Sequence, residues 1–93
     1  MDEATPHGSG SGAWREAGDW HIDVRGLGPP QPLVRILQLL RTLPRDAVLI
    51  VHHDRDPLLL YPELAQIGWG AEHLDGEPGE VRLRLRAIGS DEA

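Results

Sequence analysis

Five consecutive apolar residues near the middle of the chain, residues 47–51, constrain the fold more than any other segment. The run lies between Asp46 and Asp54, and a short apolar run of this kind is typical of a β-strand that is buried on both faces. A strand buried in this way needs neighbours on either side. We therefore predict that it lies in the interior of a sheet.

The segments before this strand show first a strand pattern and then a helix pattern. Residues 21–25 alternate polar and apolar side chains, which predicts a half-buried strand with Ile22 and Val24 facing the core. Residues 33–43 place apolar side chains three and four positions apart, which predicts one apolar face of a helix. Prolines precede this segment, and Pro44 ends it.

The second half of the chain predicts one helix and two strands. Residues 58–67 have a helical pattern, but Pro62 deletes a helical hydrogen bond, so we expect a kink or a split into a turn and a short helix. Residues 69–74 predict a strand. Residues 81–85 alternate apolar side chains with arginine, which predicts a strand with one buried face.

The resulting order, β-α-β-α-β-β, predicts an α/β (α+β) two-layer sandwich, in which a four-stranded mixed sheet carries both helices on one face. Residues 1–18 contain a Gly/Ser run and are expected to form a flexible tail, residues 19–88 the domain, and residues 89–93 a frayed end. The other face of the central strand then needs cover. A homodimer or a folded-back Trp14 would supply it.

The composition narrows the available chemistry. The chain has no cysteine and no lysine, which excludes thiolate and Schiff-base catalysis, and its serines lie in the predicted tails. A net charge of −6 disfavours nucleic acid and anionic membranes as partners. The sequence also lacks an apolar run long enough to span a membrane and a signal-peptide pattern. We therefore expect a cytoplasmic protein that is not an enzyme.

Two motifs resemble a known family. Residues 21–32, His-Ile-Asp-Val-Arg-Gly-Leu-Gly-Pro-Pro-Gln-Pro, are similar to the start of the bacterial TusA/SirA-like sulfur carriers, with Pro29 where those proteins have cysteine. The chain resembles more closely a cysteine-lacking branch of that superfamily, the domain of unknown function 2249. That branch shares Asp-Val-Arg-Gly-Leu and the double proline, and it shares an Asp-Pro and Leu-Tyr motif, here Asp56-Pro57 and Leu60-Tyr61.

This resemblance covers residues 20–88. It implies a two-layer sandwich with sheet order 1-2-4-3, and it implies no established activity. Members of the branch are sometimes joined to, or encoded beside, metal-handling domains, which hints at a redox or metal-linked pathway. Because Pro29 has no nucleophilic atom, thiol-based sulfur transfer is not expected.

A contact surface is predicted where the first two strands end. The carboxyl ends of parallel strands meet at one edge of a sheet, and the first helix begins at the same edge. The candidate ligand-binding residues there are Arg25, Gly26, Pro29, Pro30, His53 and Arg55. The helix end and the arginines would suit a carboxylate, phosphate or other oxyanion. The alternative is that Arg25 simply pairs with Asp23 or Asp54.

An arginine ladder, Arg82, Arg84 and Arg86, lies on one face of the last predicted strand. It could receive an acidic partner or a nucleic-acid backbone. Alternatively, it is a solvated face that Asp23 and Glu72 neutralise across strands. The acidic net charge favours the second interpretation.

Metal binding has weaker support. His52 and His53 are adjacent in a strand and point to opposite faces, so they are not expected to share a metal. A site of His53 with Asp54 or Asp56 is short of ligands, and we assign no metal ligand and no cofactor. We predict a non-enzymatic binding or adaptor module with an unknown protein partner. The alternatives are a metal- or anion-binding accessory protein in a redox or nitrogen-oxide-linked pathway, and an enzyme that uses His53 with Asp54 or Asp56 as acid and base.

Overall fold

The apolar run at the centre of the sequence becomes the middle strand of a five-stranded sheet. A computed structural model describes residues 13–88. Its elements are β1 (Ala13–Glu16), β2 (Asp19–Asp23), α1 (Gln31–Leu40), β3 (Val48–His53), α2 (Leu60–Gln66), β4 (Trp69–Leu74) and β5 (Val81–Ala87). The strand order is β1-β2-β3-β5-β4, so β3 has two strands on each side, as its apolar run predicts.

The sheet is mixed. β2 runs parallel to β3, and the other neighbouring pairs are antiparallel. A parallel pair needs a crossover connection, which α1 provides. The order of the four predicted strands, β2-β3-β5-β4, is the 1-2-4-3 order that the resemblance implies.

The strand β1 corrects the predicted count of four strands and shortens the predicted tail. It is joined to β2 through Ala17 and Gly18, whose φ angles of 54° and 88° suit a tight two-residue hairpin turn. The Gly-rich sequence around it favours a flexible tail, but pairing with β2 holds this segment in the sheet. Residues 1–12 of the predicted tail and residues 89–93 of the predicted frayed end lie outside the described residues.

One hydrophobic core lies between the sheet and the two helices. It combines alternate residues of the strands with one face of each helix, which confirms that both helices cover the same face. The buried members are Ile22, Val24, Ile36, Leu40, Leu49, Val51, Leu60, Leu64, Trp69, Leu83 and Leu85. The opposite side of the sheet combines histidine and charged side chains with a few apolar ones.

The prolines set where the helices begin. α1 starts earlier than predicted, directly after Pro30, with Pro32 in its first turn. Residues 57–59 form a turn before α2, and Pro62 falls in the first helical turn, where no backbone N–H is required. This is the predicted split into a turn and a short helix. Over residues 13–88, neither helix is long and apolar enough to cross a membrane.

The face of the sheet opposite the helices is here called the open face. Its side chains include Trp14, His21, Asp23, Ile50, His52, Arg82 and Arg84. Ile50, at its centre, is only 6 % exposed in the single chain. Trp14 lies on this face against the rings of His21 and His52, as the folded-back alternative predicted. The homodimer stays a prediction.

Candidate functional site

An apolar groove of about 240 Å³ lies between the turn that leads into α1 and the segment that leads into α2. Its walls are mostly leucine and proline. The lining residues are Leu27, Pro29, Pro30, Pro32, Leu33, His53, Arg55, Asp56, Pro57, Leu58, Leu59 and Leu60. The groove therefore lies at the sheet edge where β2 and β3 end, which is the edge the sequence predicts.

Two loops form the groove, and one hydrogen bond ties them together. Gly26 turns the chain after β2 with a φ of 83°, a value that favours glycine. Its backbone N–H donates to Asp54 Oδ2 at 3.0 Å, in the loop after β3. This bond is the main cause that lowers the pKa of Asp54. Gly26 thus supports the groove from outside its lining.

His53 is the buried polar side chain of the groove, at 3 % exposure. Its Nδ1 accepts hydrogen bonds from the backbone N–H of Asp54 at 2.9 Å and of Arg55 at 3.3 Å. Nδ1 is therefore the unprotonated nitrogen, and Nε2 carries the hydrogen. Asp54 Oδ1 lies 3.2 Å from Nδ1, and because both atoms are acceptors in this tautomer, the contact is not a hydrogen bond. Within residues 13–88, Nε2–H has no hydrogen-bond partner.

The rim of the groove combines exposed leucines with a small polar cluster. Leu58 and Leu59 are 70 % and 76 % exposed, although both are large apolar residues. Asp56 accepts a hydrogen bond from the Tyr61 hydroxyl and lies 3.5 Å from His73 Nε2. Burial and the neighbouring carboxylate raise the pKa of Tyr61. This cluster anchors the Asp-Pro loop to α2 and β4, and it leaves the two leucines outside.

The structure brings together four of the six candidate residues. Pro29, Pro30, His53 and Arg55 line the groove, whereas Arg25 and Gly26 do not. The Arg25 guanidinium donates to both carboxylate oxygens of Asp23, at 2.9 Å each, which raises the pKa of Arg25 and lowers that of Asp23. This pairing is the alternative stated for Arg25, because Arg25 and Asp23 lie on the same side of an extended segment. An oxyanion site that joins Arg25 to His53 is thus not formed here.

The arginine ladder is largely neutralised, as the acidic composition predicts. Arg84 pairs with Glu72 across β4 and β5 at 2.7 Å. Arg82 pairs with Glu80 at 2.9 Å, and not with Asp23, which Arg25 occupies. The ladder therefore does not present three free cations.

A second polar cluster lies on the open face, and no function was predicted for it. His21 Nδ1 is 2.9 Å from His52 Nε2, and His52 Nδ1 is 2.6 Å from Glu80 Oε2. The Glu80 side chain is 2 % exposed and also accepts hydrogen bonds from Arg82 and from the backbone N–H of Glu77. The Arg82 bond is the largest cause that lowers the pKa of Glu80 to about 2, against the opposing effect of burial.

Strand alternation was a signal that could have found two of the three members of this cluster. Ile22 and His53 face the core, so His21 and His52, one residue before each, must face the opposite side. The parallel register then makes them diagonal neighbours, because Asp23 pairs with His52 and His21 with Ile50. The third member, Glu80, precedes β5, and its approach follows from the loop conformation rather than from a strand pattern.

The structure thus defines a small two-layer α/β domain with an apolar groove at the carboxyl edge of its parallel strands. Residues 21–87 match the family model described as uncharacterized conserved protein (DUF2249). The chain therefore belongs to the DUF2249 family, as its motifs indicate. No curated protein matches it.

Proposed function

We propose that this protein is a non-enzymatic binding module whose groove takes an apolar segment of a partner protein. One combination carries the proposal: leucine and proline walls, two highly exposed leucines, and one buried donor with no partner in residues 13–88. Contiguous apolar surface with a polar rim is typical of interaction sites in proteins.

The size of the groove favours a peptide segment over a free small molecule. Its volume of about 240 Å³ lies below the range of roughly 300–1,000 Å³ that is usual for small-molecule pockets. The exposed side chains of Leu58 and Leu59 extend the apolar surface onto the rim, where an enclosed ligand would not cover them. A partner segment that inserts one or two apolar side chains would cover both the groove and the rim.

His53 supplies the polar contact of the proposed site. Its Nδ1 is held by two backbone N–H groups, so Nε2–H is the ring donor that an occupant of the groove can use. A backbone carbonyl of the partner is a suitable acceptor, and a buried donor left unpaired costs about 1–3 kcal/mol. The same occupation of Nδ1 disfavours the acid–base alternative, in which His53 works with Asp54.

The test is a selection of binding peptides from a random phage-displayed library on the full chain, followed by affinity measurement. The rim variant Leu58→Asp/Leu59→Asp should weaken the selected peptides about tenfold or more, which is at least 1.4 kcal/mol. The control Val34→Asp/Ile67→Asp also changes two exposed apolar residues, 44 % and 37 % exposed, but outside the groove lining. It should bind like the unaltered chain.

Nitrogen-detected NMR of the histidine rings gives a second readout. Bound peptide should move the Nε2–H resonance of His53, while its Nδ1 keeps the shift of an acceptor. Peptides that bind the rim variant as well as the unaltered chain would refute the proposal. If octanoate saturates the groove and no peptide binds, the occupant of the groove is a small apolar ligand and not a partner protein.

A further inference from the structure

The open-face cluster of His21, His52 and Glu80 is separate from the groove, and it brings two histidine ring nitrogens together. His21 lies on β2 and His52 on the neighbouring strand β3, so the parallel ladder between these two strands sets their separation. The two ring nitrogens that face each other are 2.9 Å apart. Two nitrogen ligands of a tetrahedral metal, each at about 2.05 Å, would be about 3.3 Å apart, so an ion would enter when the pair opens by roughly 0.4 Å and the rings turn until both lone pairs point at it.

Glu80 fixes the orientation of the His52 ring. Glu80 Oε2 lies 2.6 Å from His52 Nδ1, so in the neutral ring Nδ1–H donates to the carboxylate and Nε2 presents its lone pair toward His21. A carboxylate that binds the far nitrogen of a ligating histidine is the usual supporting contact at metal sites, where it sets the tautomer and raises ligand basicity. Glu80 is itself held by Arg82 and the Glu77 backbone, so it is well placed to orient the ring.

His21 can change to the tautomer that binds a metal through Nδ1 without gaining or losing a proton. In the metal-free protein, His21 donates its Nδ1–H to His52 Nε2. Transfer of that hydrogen to the Nε2 of His21 would free Nδ1 as a second lone pair, and the ring would stay neutral. Trp14 lies against both rings, with centroids at 5.2 and 5.6 Å and interplanar angles of 16° and 19°, so it covers one side of the pair.

We propose that His21 Nδ1 and His52 Nε2 are the two protein ligands of a site for a divalent, nitrogen-preferring transition metal such as Cu²⁺ or Zn²⁺. Imidazole is a preferred ligand of both ions. Residues 13–88 contain no group of three or more potential ligands, so water or a bound anion completes the coordination. Glu80 is a positioning residue and does not ligate the metal.

The first measurement is titration calorimetry of the full chain, free of any affinity tag, with CuCl₂ or ZnCl₂ in a non-chelating buffer. We expect saturable binding of one ion per chain. His21→Gln and His52→Gln should each abolish this binding or weaken it about tenfold or more, and Glu80→Gln should weaken it by about tenfold or more through loss of the supporting carboxylate. His73→Gln, which changes an exposed histidine on β4, is the matched control and should leave it unchanged.

The second measurement separates this site from any other copper contact of the chain. Cu²⁺ at the pair should quench Trp14 fluorescence, because the Trp14 ring lies about 5–6 Å from both ligands. The quenching should disappear in His21→Gln and persist in His7→Gln, which alters the histidine outside the described residues. Circular dichroism checks that each variant is folded, and a variant that unfolds is replaced by His21→Asn or His52→Asn.

The proposal is overturned if no ion binds at one per chain, or if binding survives the loss of both His21 and His52. It is also overturned if His7→Gln abolishes binding while the pair is intact. The groove and its peptide test do not depend on these results, because the open face and the groove lie on different surfaces of the sheet.

Discussion

Glu80 lies just before β5, yet its carboxylate joins three segments of the chain. It accepts hydrogen bonds from His52 on β3, from Arg82 on β5 and from the Glu77 backbone in the preceding loop. A charged group with 2 % side-chain exposure is tolerated only when its charge and lone pairs are satisfied. These contacts couple the ionisation of Glu80 to folding.

Stability should therefore fall in acid, and Glu80 should contribute a measurable part of that fall. Its pKa is lowered from 4.5 to about 2 in the folded chain. The unfolded chain then binds more protons, so the stabilisation is complete above about pH 5 and is lost as the pH falls toward 2. Urea unfolding across this range should show a shallower pH dependence for Glu80→Gln than for the unaltered chain.

The two proteins are compared by the slope of their unfolding free energy against pH, because Glu80→Gln also lowers the stability at every pH. Asp23, Asp54 and Glu72 also have lowered pKa values and remain in both proteins, so their contribution cancels. Glu63→Gln, at an exposed position on α2, should keep the original slope. If the unfolding free energy of Glu80→Gln depends on pH as steeply as that of the unaltered chain, these contacts do not lower the pKa of Glu80.

Among the elements, the β1–β2 hairpin is where the structure differs most from the sequence-based prediction. It adds an edge strand and brings Trp14 onto the open face beside His21. Its turn requires two residues with positive φ, Ala17 and Gly18, and only one of them is glycine. The hairpin therefore depends on Gly18 more than on any side chain of the turn.

Gly18→Ala should destabilise the chain by about 1 kcal/mol, because alanine adopts positive φ only with strain. Gly28→Ala is the matched control. An added Cβ would meet no atom within 4 Å at either position, but only Gly18 has a positive φ, of 88°. Gly28→Ala should thus be neutral or slightly stabilising, by up to about 1 kcal/mol. Equal effects of the two changes in urea unfolding would contradict the hairpin geometry.

The whole molecule depends on a single aliphatic layer between the sheet and two short helices. A chain of this size has a total stability of roughly 5–15 kcal/mol, so individual core residues account for large fractions of it. The leucines divide sharply between this layer and the groove rim. Leu85 is fully buried, and Leu59 is 76 % exposed.

Leu85→Ala should therefore cost about 2–5 kcal/mol of unfolding free energy, through lost burial and the cavity left behind. Leu59→Ala should change it by less than about 0.5 kcal/mol, because its side chain is already in water. Guanidinium unfolding of both variants measures the difference. A Leu59→Ala loss as large as that of Leu85→Ala would mean that the rim is covered in the free protein.

The candidate site was only partly predictable. Chain order and parallel pairing placed His53, Arg55 and the double proline at one edge of the sheet, and the structure brings them together. Arg25 was misplaced because sequence proximity to that edge does not fix side-chain direction, and its guanidinium turns to Asp23. The His21–His52–Glu80 cluster was missed because it depends on strand register and on a loop, which spacing along the chain does not define.

The sequence by itself determined the succession of elements from β2 to β5, the central place of β3, the split before α2 and the exclusion of thiol chemistry. Each of these follows from local patterning, from proline, or from the residues that the chain contains. Only the tertiary structure decided that Ala13–Glu16 joins the sheet, that Nδ1 of His53 accepts from two backbone N–H groups, and that Glu80 reaches His52. These outcomes depend on contacts between segments far apart in the chain or on the path of a loop, and local patterns carry no information about either.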